Sequence, residues 1–364
     1  MFAAAGCVVG VGSVSGVGGS VPVIYCTDLF HPHDDPDDHF DLATLYAMPE
    51  LDIKGIVLDQ GRKQLERPGR IPVSQLNKIT GRDVPTVIGL ATPLKSTGDK
   101  ALDQPPEFQC GVELIVKTLR ASPKPVCIAT LGSVRDVVSA FNREPRLFQT
   151  NVAMVLAFIG EASDAKLREY NVTLDPQAFV GLMRSELPVY WVPCFDGGMW
   201  QNRGHASFWR ASHRALLTQA TPEVIQYFVY ALDKEASDPL AILSRPVEPA
   251  RQARLFAGTR NLWCAAVLGA MSGREVVLDR GKWRSVLPGS IPTATGAKRE
   301  ALFGFSEVEV SVSDAGVVSY GKGPMSHKLK RFEVREPGHY EQGMTEATAG
   351  LFSTLGRKGD KSGR

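Results

Sequence analysis

Residues 27–41 read TDLFHPHDDPDDHFD, which places six aspartates (Asp28, Asp34, Asp35, Asp37, Asp38 and Asp41) and three histidines (His31, His33 and His39) directly after an apolar run. So much negative charge repels itself unless a cation neutralises it. Two or three of these carboxylates converging on one point make a hard-oxygen site suited to Ca²⁺ or Mg²⁺. A carboxylate beside a cation-bound water can also take that water's proton, producing a nucleophile at neutral pH. Two blander uses stand beside this one. Aspartate is favoured before and inside the first turn of a helix, so the stretch can be a solvated, helix-capping loop. Zinc on His31, His33 and His39 is the third, and no cysteine or distant histidine has the spacing that would complete it.

A second loaded stretch, residues 197–214, carries Trp200, Phe208, Trp209, His205 and His213 together with three arginines, an unusual set for a loop. Trp200 and Trp209 can stack on a heterocyclic base and His205 can protonate it. Equally, tryptophan is commonly spent in a core or an interface.

Such groups need a scaffold. Runs at residues 21–26, 53–58, 84–88, 126–130, 152–159 and 189–192 are rich in Val and Ile and bounded by turn residues, which predicts buried parallel strands. Amphipathic segments at 42–48, 111–120, 134–141 and 176–185 lie between them. Strand alternating with helix predicts an α/β fold with a mostly parallel, Rossmann-like central sheet flanked by helices. Residues 301–336 differ: EVEVSVS, then DAG, then VVSYG predict a late antiparallel hairpin. In open α/β sheets ligands bind outside the carboxyl ends of the strands, where the aspartate-rich stretch begins. Residues 21–355 are expected to form one domain, with 1–20 a signal-like or disordered segment and 356–364 a disordered, polar tail. The expected location is cytoplasmic, with export the alternative if the small, apolar N-terminus is the remnant of a signal.

Four motifs follow in order. Asp37-Asp38 runs into HFDLATLYAM, then Pro49-Glu50 and LDIKGI; residues 128–141 read IATLGSVRDVVSAF; Glu169-Tyr170-Asn171 precedes Asp175-Pro176-Gln177-Ala178; and Ser237-Asp238-Pro239-Leu240-Ala241 comes last. In this order they resemble the inosine/uridine-preferring nucleoside hydrolase family, with its D-x-D-P-x-x-D-D, A-T-G-P-L-T-N, E-F-N and H-D-P-L-A motifs. The resemblance implies a nucleoside-hydrolase-like fold, a bound Ca²⁺, a small nucleoside or ribosyl substrate, release of free base and ribose, and a homo-oligomer, dimer or tetramer. It implies Asp28 as base and ligand, Asp37 on the ribose hydroxyls, and Asp38, Asp238 and the Leu131 carbonyl on the metal. Glu169 and Asn171 would hold the 5′ end of the ribose. Asp35 or Asp41 would replace Asp28 or Asp37 if the residues inserted before Asp37 reshape the loop.

The departures bear on activity. Ser237 stands where one branch of the family has the histidine that protonates the leaving base, and Asp59-Gln60 replaces a Gly-Asn after the second strand. They leave two further readings open: a hydrolase of another ribosyl or glycosyl compound, and a non-catalytic Ca²⁺-containing binding protein. Composition excludes other classes. The 41 Lys and Arg against 39 Asp and Glu give a net charge of +2, which argues against a nucleic-acid coat protein. No stretch has the roughly 20 apolar residues of a membrane span. The six cysteines include no C-x-x-C pair and read as free buried thiols. Strand one leads into aspartates rather than a Gly-x-Gly-x-x-Gly turn, which disfavours a dinucleotide-binding dehydrogenase.

Overall fold

VPVIYCT has only apolar or small side chains, and its alternate residues point to opposite faces. Val23 and Tyr25 enter one hydrophobic cluster, Ile24 and Cys26 the other, so this strand is buried on both sides at the centre of the molecule. The computed structural model describes residues 19–290, 301–323 and 325–357. The signal-like segment up to residue 18, Cys7 within it and the tail from 358 lie outside the described residues.

Among the described residues the strands are β1 (Val21–Thr27), β2 (Leu51–Leu58), β3 (Thr86–Ile88), β4 (Val126–Leu131), β5 (Val152–Phe158), β6 (Val189–Val192), β7 (Trp209–Ser212), β8 (Thr259–Leu262), β9 (Glu275–Asp279), β10 (Lys282–Val286), β11 (Phe303–Val312), β12 (Val318–Tyr320) and β13 (His327–Val334). Nine form the main sheet in the order β12-β11-β13-β6-β5-β4-β1-β2-β3. The pairs from β13 through β6 to β3 are parallel, and β11 runs antiparallel to both β12 and β13. The predicted α/β sheet is therefore present, and the late hairpin is stitched onto it because β13 pairs with β6. The strand predicted at 84–88 is trimmed to β3, since Pro85 has no N–H for the ladder.

Chain winding reverses at β1, which has β2 on one side and β4 on the other. That reversal opens a crevice at the carboxyl ends of the two strands. Their last register pair is Thr27 with Leu131, so the residues that follow each strand meet there. Helix α1 (Asp37–Tyr46) begins five residues earlier than the apolar pattern alone suggests, with Asp37 and Asp38 in its first turn. Acidic residues favour that position because the helix N-terminus is partially positive. From its third residue onward α1 packs into the core, with Phe40 against Phe228 at 4.4 Å between ring centroids. Of the five described cysteines, all free, Cys26, Cys127, Cys194 and Cys264 are buried while Cys110 is exposed, against the all-buried expectation. No helix among the described residues is long and apolar enough to cross a membrane.

Candidate active site

The turn after β1 and the first turn of α1 put Asp28, Asp37 and Asp38 on one wall of a cavity of about 510 Å³, with Leu131 beside them. Each carboxylate keeps a face open to the cavity while protein surrounds the rest. The Thr27 hydroxyl donates to Asp38 at 2.7 Å, and the Gln60 amide donates to Asp28 at 3.2 Å. Gln60 reaches there because the turn after β2 takes a left-handed conformation at that residue, φ 58°. Asp59 accepts the Ser133 N–H at 2.7 Å and the Ser133 hydroxyl at 2.9 Å, which fixes the turn after β4 and so the position of Leu131. Arg135, buried at 3.6 Å from both Asp59 and Asp175, ties this turn to the N-cap of the helix Pro176–Met183.

The electrostatics are those of crowded, desolvated acids. Burial pushes Asp28 up to about 8, with the Asp59 carboxylate adding to it. Burial, then Asp35, Asp41 and Asp28, hold Asp37 well above the usual carboxylate range; burial, then Asp28 and Asp37, do the same for Asp38. Each proton or cation that enters relieves this repulsion.

The remaining implied residues divide. Glu169 and Asn171 line the cavity, but Glu169 is also a helix cap, accepting N–H groups from Gly160 at 2.9 Å and Asn171 at 2.8 Å. Burial raises its pKa against those hydrogen bonds. Asp35 stands at the rim, paired with Arg260 at 2.9 Å. Asp41 is buried in the wall, where its carboxylate accepts the Ala265 N–H at 2.7 Å; burial pushes it up to about 7.

Three expectations are corrected. Asp238 does not line the cavity: its carboxylate accepts from Leu240 at 2.9 Å and Ala241 at 3.0 Å and initiates a turn. Trp209 is fully buried in β7 and belongs to the core. His205 also lies outside the cavity lining, and its Nδ1 is bonded to Asp196 at 3.0 Å. The zinc reading finds no support either. His31, His33 and His39 are buried, His31 stacks on Tyr230 at 4.7 Å, and among the described residues no three His, Cys, Asp or Glu side chains are grouped as a metal site.

Of the rest of the lining, sequence reasoning named Trp200 and missed the other residues. Phe195, Met199, Trp200, Trp263, Cys194 and Cys264 all line the same cavity. Trp200 lies 5.4 Å from Phe195 and 6.1 Å from Trp263 between ring centroids, with Phe208 5.6 Å behind Trp263. Trp263-Cys264 directly follows β8, and a tryptophan placed where a strand ends was the available signal. Cys264 sits beside Asp41.

The family model described as inosine-uridine preferring nucleoside hydrolase matches residues 27–321. Among curated relatives, the pyrimidine-specific ribonucleoside hydrolase RihA of Citrobacter koseri is 28% identical over 188 residues, 47% of this chain and 59% of that protein. The chain thus spans about 59% of the length of that curated relative. A solved plant nucleoside hydrolase, the PpNRh1 enzyme, superimposes with a TM-score of 0.52 at 14% identity, covering 93% of this chain and 99% of that one. The type III effector protein XopQ, solved in complex with adenosine diphosphate ribose, gives a TM-score of 0.51 at 15% identity over 93% and 95%. At these identities the structural likeness concerns the fold.

Proposed function

This chain belongs to the inosine-uridine preferring nucleoside hydrolase family, and from that premise we propose that it hydrolyses the N-glycosidic bond of a ribonucleoside to free base and ribose. The observation that carries the reading is that Asp28, Asp37 and Asp38 line one cavity together with Phe195, Trp200 and Trp263. Cleaving an N-glycosidic bond builds positive charge on the sugar, and fixed carboxylates around it stabilise that charge. Asp28 takes the proton of the attacking water, for which a pKa near the working pH suits it. Asp37 accepts hydrogen bonds from the ribose hydroxyls. Glu169 fixes the turn that presents Asn171, whose amide meets the 5′ end of the sugar.

The donor set fits a hard cation, Ca²⁺ in this reading. Asp28 and Asp38 supply carboxylates and Leu131 a carbonyl, and the raised pKa values of the acids mark a site short of positive charge. Two carboxylates are one fewer than the family pattern implies, with Asp238 elsewhere and Cys264 nearby. When bound, the cation would lower the pKa of a water and grip a vicinal diol. Residues 21–355 act as one unit, and the active form is a homo-oligomer, dimer or tetramer.

A second reading, hydrolysis of another ribosyl compound, is favoured by Lys63 and Arg168 at the cavity edge, where they can meet a phosphate like that of the ligand bound to XopQ. The test is reducing-sugar release from a panel of ribonucleosides and deoxyribonucleosides, and adenine release from ADP-ribose, with a calcium-stripped parallel. Calcium-dependent release from a ribonucleoside supports the leading reading. Release from ADP-ribose alone selects the second, and no release with calcium bound overturns both.

A further inference from the structure

Two loops supply part of the cavity lining. The one after β5 gives Leu167, Arg168 and Glu169, and the one after β6 gives Phe195, Met199 and Trp200. A loop holds a side chain in one place only when its backbone polar groups are tied down. Glu161, 8% exposed and outside the cavity lining, ties down both. Its Oε1 accepts N–H groups from Ser163 at 2.9 Å and Asp164 at 2.9 Å in its own loop, and from Gly197 at 2.7 Å in the other. Its Oε2 accepts the Gly198 N–H at 3.4 Å. Bonds of this kind to a carboxylate are stronger than those between neutral groups.

The turn held in this way has an uncommon backbone. Gly197 and Gly198 have φ 95° and 116°, and Trp200 follows with φ 63°, a left-handed value that non-glycine residues rarely adopt. Such a conformation persists only where its surroundings over-determine it. Within the turn the Gln201 N–H donates to the Gly198 carbonyl at 3.0 Å, and the Asp196 N–H donates to the Gln201 carbonyl at 2.9 Å. Between the loops the Ser163 hydroxyl adds a second tie, donating to Asp196 at 2.6 Å. Gly160, directly before Glu161, donates its N–H at 2.9 Å to Glu169, which caps the helix bearing Asn171. One buried side chain thus connects the turn of the half-exposed Trp200 with the turn of Glu169 and Asn171.

We propose that Glu161 is a positioning residue for the reaction: by bonding both loops it fixes the spacing between Trp200, which meets the base, and Asn171, which meets the sugar. The inference rests on the nucleosidase reading and adds to it a residue that touches no substrate. Base and sugar are joined by one bond, so the surfaces that receive them must keep one spacing. A contact with the base that is equally strong before and during bond breaking acts on KM and leaves kcat alone. Two conservative variants separate the bonds. Glu161→Asp, shorter by one methylene, can still accept from the N–H groups two and three residues ahead, as aspartate does in turns, but draws back from Gly197 and Gly198. Glu161→Gln keeps the length and an acceptor oxygen.

The experiment uses the full chain loaded with calcium and the ribonucleoside that it hydrolyses fastest. Glu161→Asp is expected to raise KM at least about fivefold with kcat within about twofold, and Glu161→Gln to stay within about twofold of wild type in both. In a Trp200→Leu background the effect of Glu161→Asp on KM is expected to shrink to less than about twofold. Ser163→Ala, which cuts the second tie at an exposed residue, is expected to move KM in the same direction, and it carries the test should Glu161→Asp not fold. A second arm needs no turnover: acrylamide quenching of Trp200, taken as the difference between each protein and its Trp200→Leu counterpart, is expected to change in Glu161→Asp and not in Glu161→Gln. Unchanged KM in the folded variants overturns this inference and leaves the nucleosidase reading standing. A rise in KM that persists without Trp200, or a fall in kcat alone, overturns it as well, because Glu161 then acts by another route. No hydrolysis by the wild-type protein, with Trp200 quenching altered in Glu161→Asp, overturns the nucleosidase reading and keeps the loop assignment.

Discussion

The Thr27 hydroxyl donates to the Asp38 carboxylate at 2.7 Å, linking the last residue of β1 to the second residue of α1. This bond orients a candidate cation ligand from a strand that the sheet holds rigidly on both sides. Partners of this kind typically contribute 10–100-fold to metal affinity. Thr27→Val, which keeps the shape and β propensity, is expected to weaken Ca²⁺ binding by about that factor with little change in Tm. Titration calorimetry checks it, and unchanged affinity would mean that Asp38 does not hold the ion.

Asp38 and Asp238 are separated by the fold, so their variants part company. Asp38→Asn is expected to abolish the rise in Tm that calcium gives the wild-type protein. Asp238→Asn keeps the capping of Leu240 and Ala241 and is expected to cost less than about 1 kcal/mol while leaving the calcium response intact. Loss of the response in Asp238→Asn would place that residue at the ion after all.

Asp28, Asp41 and Asp136 all have pKa values raised by burial, from 3.8 to about 8, 7 and 7. In the unfolded chain they release their protons near 3.8, whereas the folded protein retains them. The stabilisation they give is complete below about pH 4 and is lost as pH rises through 7 to 8. Chelator-treated protein should therefore melt at lower temperature at pH 8 than at pH 5, and calcium should restore more stability at pH 8. Differential scanning calorimetry across that range decides, and a chelated protein that gains stability with pH contradicts the sign.

Trp209 and Trp200 are both in the stretch expected to recognise a base, yet one is buried and the other half-exposed. Trp209→Ala removes a fully buried side chain and is expected to cost about 3–5 kcal/mol of stability. Trp200→Ala should leave Tm within a few degrees and raise KM on an active substrate. Denaturant titration alongside steady-state kinetics separates them, and the reverse pattern would exchange their roles.

By itself the sequence determined the sheet and one wall of the cavity. Short Val and Ile runs bounded by turn residues read as buried strands, and the Asp-rich stretch follows the first of them; the pairing of β1 with β4, which makes Thr27 and Leu131 neighbours, came from the fold. The aromatic part of the lining was legible only at Trp200. Phe195, Trp200, Phe208 and Trp263 meet across a span of more than sixty residues, and a stretch of aromatic residues reads the same whether it faces a core or a cavity. The register of β7 with β8 sends Trp209 inward, whereas the turn before β7 leaves Trp200 outside. Asp238 was misplaced for the same reason. An Asp-Pro pair initiates a turn equally well at an active site or on the surface, and only the packing of the chain around it decided that this one lies apart from the cavity.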